Sequence, residues 1–299
     1  MTLLVIGTLA YDSIETAHAS QRDVLGGSAT YFATAASYFT PVGLVGVVGD
    51  DFRREHVDLL KKRGVDVSGL EVVRGKTFRW AGRYEADWNT RTTLDTQLNV
   101  FEKFDPKIPP AMRATKYLFL ANAAPHIQMK ALDQVNHPQF TMVDTMNLWI
   151  DIAKEELLHL LRRVDAVVLN DEEARMLTGE RNLLRAGGAV LGLGPRYVIL
   201  KKGEHGAFLL SSSAHFSLPA YPVEEVVDPT GAGDSFAGGF MGYVAEKRDI
   251  EPRTLRRAML YGTVTASFCV EGFGVAALDG RTRGEIDRRF DDLLTIVTV

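Results

Sequence analysis

The sequence predicts an α/β fold: a three-layer sandwich with a mostly parallel central sheet, helices on both faces and a small β-strand lid. Three observations carry that expectation. Short β-rich runs alternate with longer stretches of helical period, the pattern of a parallel sheet crossed by helices. Several of the helical stretches end on glycine stop signals, as at Gly64 and Gly179. One region, 70–104, breaks the rhythm with period-two mixtures of aromatics, threonine and charge and no helix of ordinary length.

In chain order, strands are expected at Leu3 to Gly7, Gly43 to Val48, Tyr117 to Ala121, Phe140 to Asp144, Asp165 to Asn170 and Tyr197 to Lys201. Helices are expected at Ala29 to Phe39, Phe52 to Arg63, Ile150 to Arg163, Asp171 to Leu177, Gly233 to Glu246 and Pro252 to Phe268. Residues 1–69 and 105–299 then form the α/β core, and 70–104 forms antiparallel strands standing outside the sheet. That excursion carries Phe78, Arg79, Trp80, Arg83, Tyr84, Trp88, Asn89 and Arg91. Aromatic and arginine residues suit a lid closing over a ligand, and they equally suit a subunit interface that would make a homodimer.

Composition narrows the class. With 46% hydrophobic and 24% charged residues, and 27 Gly against 11 Pro, the chain can bury a large core, so disorder and collagen-like order are excluded. Lys plus Arg is 34 against 38 Asp plus Glu, a net charge of −4, so no basic field gathers nucleic acid. The lone Cys269 can form neither an intramolecular disulfide nor a cysteine zinc site, which suits a reducing cytoplasm. No run approaches about 18 apolar residues, so no membrane span is expected, and the N-terminus reads as a strand, with no basic leader. The P-loop, the dinucleotide glycine fingerprint, H-E-x-x-H and the G-x-S-x-G elbow are all missing.

The strongest local signal is Val227-Asp228-Pro229-Thr230-Gly231-Ala232-Gly233-Asp234-Ser235-Phe236, where small residues run directly into an apolar helix. A Gly-Ala-Gly turn at a helix start leaves backbone N–H groups unpaired and adds the positive end of the helix dipole, so it suits an oxyanion or phosphate. Asp234 stands beside it in the first turn. By itself it reads most simply as a carboxylate complementing the dipole, but next to a transferring phosphoryl group it is placed as a general base.

These residues resemble the ribokinase-like, or PfkB, carbohydrate and nucleoside kinases. The run DPTGAGDSFAGGFM matches that family's C-terminal signature throughout. Further features agree in order and spacing: GTLAYD with Asp12, the pair Gly26-Gly27, Asn170 with Glu173 in an Asn-x-x-Glu element, and Lys201-Lys202-Gly203-Glu204-His205-Gly206 in a nucleotide loop. The resemblance implies a ribokinase-like fold and transfer of the γ-phosphoryl group of ATP, with Mg2+, to a hydroxyl of a small sugar, or alternatively of a nucleoside. It makes Asp234 the catalytic base and Gly231, Ala232 and Gly233 the amide cradle. Asp12, Gly26, Gly27 and Tyr31 would bind the acceptor. Asn170, Glu173, Lys201, Gly203, Gly206 and Gly272 would serve the nucleotide, with Asn170 and Glu173 holding magnesium through water.

Some relatives bind potassium at the positions of Asp228 and Thr230, although Asp-Pro-Thr is equally an ordinary turn. The chain departs from the family at Tyr31, where many sugar kinases carry Asn, and at Ala10, where many relatives are polar. An aromatic ring replaces a hydroxyl-reading amide, which allows stacking or a phenol contact.

Overall fold

Every strand at the centre of the main sheet is apolar on both faces, so each must be covered twice, and the chain supplies a helical layer for each face. The structure, a computed structural model, describes residues 2–85, 88 and 90–298. In order it runs β1 (Leu3–Ile6), β2 (Ala10–Glu15), β3 (Ser20–Gly26), α1 (Ser28–Ala36), β4 (Val42–Gly49), α2 (Arg54–Lys62), β5 (Val65–Val73), β6 (Phe78–Tyr84) and β7 (Arg91–Gln97). It continues with β8 (Tyr117–Leu120), α3 (Pro125–Leu132), β9 (Phe140–Asp144), α4 (Asn147–Ile152), α5 (Lys154–Leu161), β10 (Ala166–Asn170), α6 (Asp171–Thr178), α7 (Leu183–Leu191) and β11 (Tyr197–Lys201). The last part comprises β12 (Ala207–Leu210), β13 (His215–Leu218), α8 (Ala232–Lys247), α9 (Pro252–Cys269), α10 (Ala276–Asp279) and α11 (Arg283–Val297).

The main sheet has the order β13-β12-β11-β10-β9-β8-β1-β4-β5, parallel from β11 to β5, with β12 and β13 added antiparallel at one edge. Strand alternation divides the core. Leu3, Val5, Tyr117, Phe119, Ala166 and Val168 pack with α1, α8 and α9, while Leu4, Ile6, Leu118, Leu120, Val167 and Leu169 pack with α3, α5 and α7. All six expected strands are present. β1 lies between β4 and β8, so the chain first builds outward on one side and then returns to build the other. The crevice beyond the strand C-termini at such a reversal is where α/β sheets bind ligands.

The second sheet differs from expectation in membership. It has the order β3-β2-β6-β7, so the excursion is completed by an N-terminal hairpin, Ala10–Glu15 with Ser20–Gly26, that periodicity alone did not reveal. Its β2–β6 pairing is parallel, whereas β6–β7 is antiparallel as expected. Leu70 to Val73 belong to the main sheet instead, pairing with Gly46 to Gly49. The helix expected at Ile150 to Arg163 is broken at Ala153, whose φ of −137° and ψ of 32° leave the helical region and separate α4 from α5. Asn89 lies outside the described residues. Among the described residues no helix is long and apolar enough to cross a membrane.

Glycines set the depth at which α8 sits. A Cβ on Gly238 would stand 2.4 Å from the Phe32 carbonyl oxygen, and one on Gly239 would stand 2.7 Å from that of Tyr261. These glycines therefore let α8 press against α1 on one side and α9 on the other, and they serve packing, not ligand binding. Gly238→Ala must part α1 from α8 and is expected to cost about 1–3 kcal/mol. Urea unfolding measures it, and an unchanged midpoint would contradict this packing.

Candidate active site

Each candidate residue stands at the end of an element, where backbone geometry fixes it. Gly231 is the residue before α8 and adopts φ 76°, a left-handed conformation that favours glycine. Among the described residues the amides of Gly231, Gly233 and Asp234 donate to nothing, so they form the open N-terminus of a 16-residue helix. The Ala232 amide differs from the expected cradle role, because it closes the turn on the Pro229 carbonyl at 3.2 Å.

Behind the turn, the Asp228 carboxylate accepts hydrogen bonds from the Thr230 amide at 2.8 Å and the Gly274 amide at 3.4 Å. Asp228 is fully buried and braces the turn against the loop after α9. That is the turn reading of Asp-Pro-Thr. Cys269 lies alongside, its thiol 3.5 Å from the Thr230 carbonyl oxygen.

Lys201 ends β11, and its Nζ would lie only 2.7 Å from a Cβ on Gly233. The missing side chain at 233 is thus the space in which the ammonium sits. It pairs with Asp144, at the end of β9, across 3.7 Å. Burial opposes the charge on Lys201, but Asp144, Glu173 and Asp234 outweigh it and hold the ammonium above the ordinary lysine pKa. The carboxylates respond in the opposite sense. Burial, followed by the negative charge of Asp144, pushes Asp234 up to about 7 against the pull of Lys201. Burial likewise raises Glu173 to about 7.

Asn170 and Glu173 form a reciprocal cap on α6. Asn170 Oδ1 accepts from the Glu173 amide at 2.8 Å, and Glu173 Oε2 accepts from the Asn170 amide at 2.7 Å. One Glu173 oxygen is left over, and Asp144 Oδ1 is buried without a hydrogen bond. Among the described residues no three His, Cys, Asp or Glu side chains converge on one metal position. A magnesium ion would therefore fit here only in company with phosphate oxygens and water. The unpaired amides, the Asp144 oxygen without a hydrogen bond and the half-buried lysine match that combination of charges.

A cavity of about 480 Å3 opens beside this cluster, lined by Lys201, Gly203, Gly206, Ala232, Gly233 and Trp88 among others. It also takes in Tyr221 to Val223 and, from α9, Thr263 and Ser267. Gly206 is held at φ 83°, where a Cβ would stand 2.0 Å from the Leu218 carbonyl oxygen. Gly272 does not line the cavity; it packs against Ala277.

On the other side of the turn, Asp12 lies on β2 opposite Val24 and Trp80, and is 4% exposed. Gly26 makes room for it, since a Cβ there would lie 1.9 Å from Asp12 Oδ2. Gly27, at φ 93°, begins α1. Tyr31, 1% exposed, lays its ring on Gly231, where a Cβ would be 2.3 Å from Cδ1. Burial, then the charges of Asp228 and Asp234, raise Asp12 to about 7.

The lid residues divide by role. Arg79 pairs with Asp23 and Asp51 and lies over Tyr11, Arg83 pairs with Glu15, and Phe78 packs on Phe101. Tyr84 reaches the turn, where the Thr230 hydroxyl donates to its Oη at 3.3 Å. Trp88 lines the cavity beside Gly203 and Gly206. Sequence reasoning did not find Asp144 or the Tyr221 segment. A carboxylate closing a parallel strand was the available signal for Asp144, and nothing local marks the second.

An α/β sandwich with an open helix N-terminus, a buried lysine–carboxylate cluster and a small sheet over the crevice is the architecture of a ribokinase-like phosphotransferase. The pfkB family carbohydrate kinase model matches residues 2–279, and the chain belongs to that family. It is similar to a cytidine kinase of Thermococcus kodakarensis, 31% identical over 258 residues that cover 84% of this chain and 91% of the relative. The nucleoside kinase of Methanocaldococcus jannaschii superposes with a TM-score of 0.78 at 22% identity, covering 98% of this chain and 99% of that one. An Escherichia coli protein solved in complex with ATP and Mg2+ gives 0.81 at 21% identity, covering 97% and 99%. These superpositions establish the ribokinase-like fold.

The raised Asp12 pKa has a consequence for stability. The folded chain holds a proton that the unfolded chain releases between about pH 4 and 7, so this group's contribution is greatest at low pH and is lost as pH rises through 7. Asp12→Asn is expected to raise the thermal midpoint at pH 8, with the gain shrinking toward pH 4. A midpoint difference independent of pH would contradict the burial of this carboxylate.

Proposed function

We propose that this protein transfers the γ-phosphoryl group of ATP to a hydroxyl of a ribosyl acceptor, a nucleoside before a free sugar. The observation that carries the reading is the position of Asp234, in the first turn of α8, beside unpaired amides and a half-buried Lys201. The acceptor oxygen attacks phosphorus while its proton passes to the Asp234 carboxylate. The bond from phosphorus to the β–γ bridging oxygen breaks, and ADP leaves. Charge on the transferring group is met by the amides of Gly231 and Gly233 and by Lys201. Glu173 and Asp144, together with phosphate oxygens and water, would hold magnesium, which would supply further charge neutralisation.

The cavity beside Gly203 and Gly206 suits the nucleotide, and Asp12 with Gly26 and Gly27 suits vicinal hydroxyls. Tyr84 and Trp88 give the lid contact with both sides of the turn, so its closure would exclude water from the transfer. A nucleoside is favoured by Tyr31 and the aromatic lid, and by the cytidine kinase relative. A free sugar is favoured by Asp12 with Gly26 and Gly27, and by relatives named as sugar kinases, among them a 2-dehydro-3-deoxygluconokinase 27% identical over 237 residues. β7, exposed along its whole length, offers the lid a free edge for a second copy of the chain.

ADP release measured against nucleosides and free sugars separates the two acceptors. Asp234→Asn is expected to lower kcat by about 10²-fold or more with ATP binding retained, and near wild-type turnover would refute the base. Because the base must be ionised, kcat/KM should fall as pH drops below about 7. A profile flat down to pH 5 would contradict it.

A further inference from the structure

One wall of the cavity beside Gly203 and Gly206 has no backbone support of its own. The segment after β13, residues 219–226, lends Ala220 to Val223 and Val226 to the lining, yet it forms neither helix nor strand. Among the described residues this segment makes no hydrogen bond and no ion pair, and none of its residues is buried. Its prolines at 219 and 222 limit the backbone dihedrals but remove donors that could have tied it down. Tyr221, its only aromatic residue, is half-buried against the edge of the core. The wall is therefore held by side chains or not at all.

A guanidinium supplies the tie. Arg289 on α11 lies 4.7 Å from the centre of the Tyr221 ring and 3.4 Å from that of Phe268. Its edge is engaged at the same time, because Nη2 pairs with Glu271 at 2.8 Å and Nη1 donates to Ser267 Oγ at 3.0 Å. Tyr221 and Ser267 both line the cavity, whereas Arg289 stands behind them and does not. A planar fork suits this task, since its face can meet rings while its edge donates. With its side chain only 16% exposed, the contact is made largely out of water, where a cation over an aromatic ring is strongest. Arg289 also lies beyond residues 2–279, the part of the chain that the family model matches.

We propose that Arg289 is a positioning residue for the phosphoryl donor, clamping the Tyr221 segment to α9 and so fixing the wall against which the nucleotide lies. This rests on the kinase reading and deepens it, because it assigns a residue outside the cavity to donor binding. Without the guanidinium the nucleotide itself must order residues 219–226, and that cost appears as lost affinity. Ser267 keeps a bond to the Val264 carbonyl at 2.8 Å whether or not Arg289 is present, so the effect passes through Tyr221. Arg289 makes no contact with Asp234 or Lys201, so the transfer step itself should be spared.

The test is calorimetric titration of MgADP into the wild type, Arg289→Met, Tyr221→Ala and the double variant, with steady-state kinetics on the same proteins. Arg289→Met keeps the apolar stem, and Glu271 retains Arg281 at 2.9 Å, so the variant should fold. Its Kd for MgADP and its KM for ATP should rise about 5- to 30-fold, with kcat changed less than about threefold and the acceptor KM unmoved. Tyr221→Ala removes the same contact from the other side and should weaken MgADP at least as much. In that background Arg289→Met should add less than about twofold, because the two residues act as one. Arg289→Lys, which keeps the charge and loses the fork, should restore only part of the affinity. Unchanged MgADP affinity in Arg289→Met, additive losses in the double variant, or an acceptor KM raised as much as that for ATP would overturn this inference and leave the kinase reading standing. A wild type that binds no MgADP and phosphorylates no acceptor would overturn both.

Discussion

The site is organised around one ammonium group held where carboxylates outnumber it. Lys201 reaches from the end of β11 to the first turn of α8, and it meets Asp144, Glu173 and Asp234 in a region largely cut off from water. Asp144 and Glu173 are buried and Asp234 half-buried, and even with Arg91 acting on the last two the carboxylates outnumber the cations. Burial first, and then the neighbouring carboxylates, hold Glu173 and Asp234 above the ordinary carboxylate pKa, and one Asp144 oxygen makes no hydrogen bond.

This placement depends on absent side chains at two levels. Gly233 leaves the volume that Lys201 Nζ occupies, and Gly231 leaves the volume against which Tyr31 lies. Deeper in the helix, Gly238 and Gly239 allow α8 to sit between α1 and α9, which sets the height of the turn above the sheet. A single run of small residues therefore does two things, leaving open amides in the first turn and close packing in the following ones. The motif is legible as a unit in the sequence, but that division of labour requires the neighbours.

The lid shows how far periodicity reaches. Alternation over 70–104 marked strands outside the parallel sheet, which holds for β6 and β7 but not for Leu70 to Val73, and β2 and β3 were hidden because the segment after β1 is short and rich in polar residues. Their pairing with β6 puts Asp12 on the same small sheet as Tyr84, so acceptor-side chemistry and lid are one structural unit. Arg79 and Arg83, plausible ligand contacts by type, are consumed by ion pairs with Asp23, Asp51 and Glu15, partners remote in sequence.

The sequence by itself determined the alternation of strands and helices, and with it the parallel sheet. It also placed a turn of small residues at a helix start, directly before Asp234. Those features are local: hydrophobic period, turn chemistry and helix-start geometry act over a few residues. Only the tertiary structure decided that Asp144 joins Lys201, that the Ala232 amide is spent on Pro229, and that the Tyr31 hydroxyl is buried without a partner. These facts depend on which strand ends meet across the sheet and on how much water the packed helices exclude. Neither quantity is encoded in any short stretch of chain.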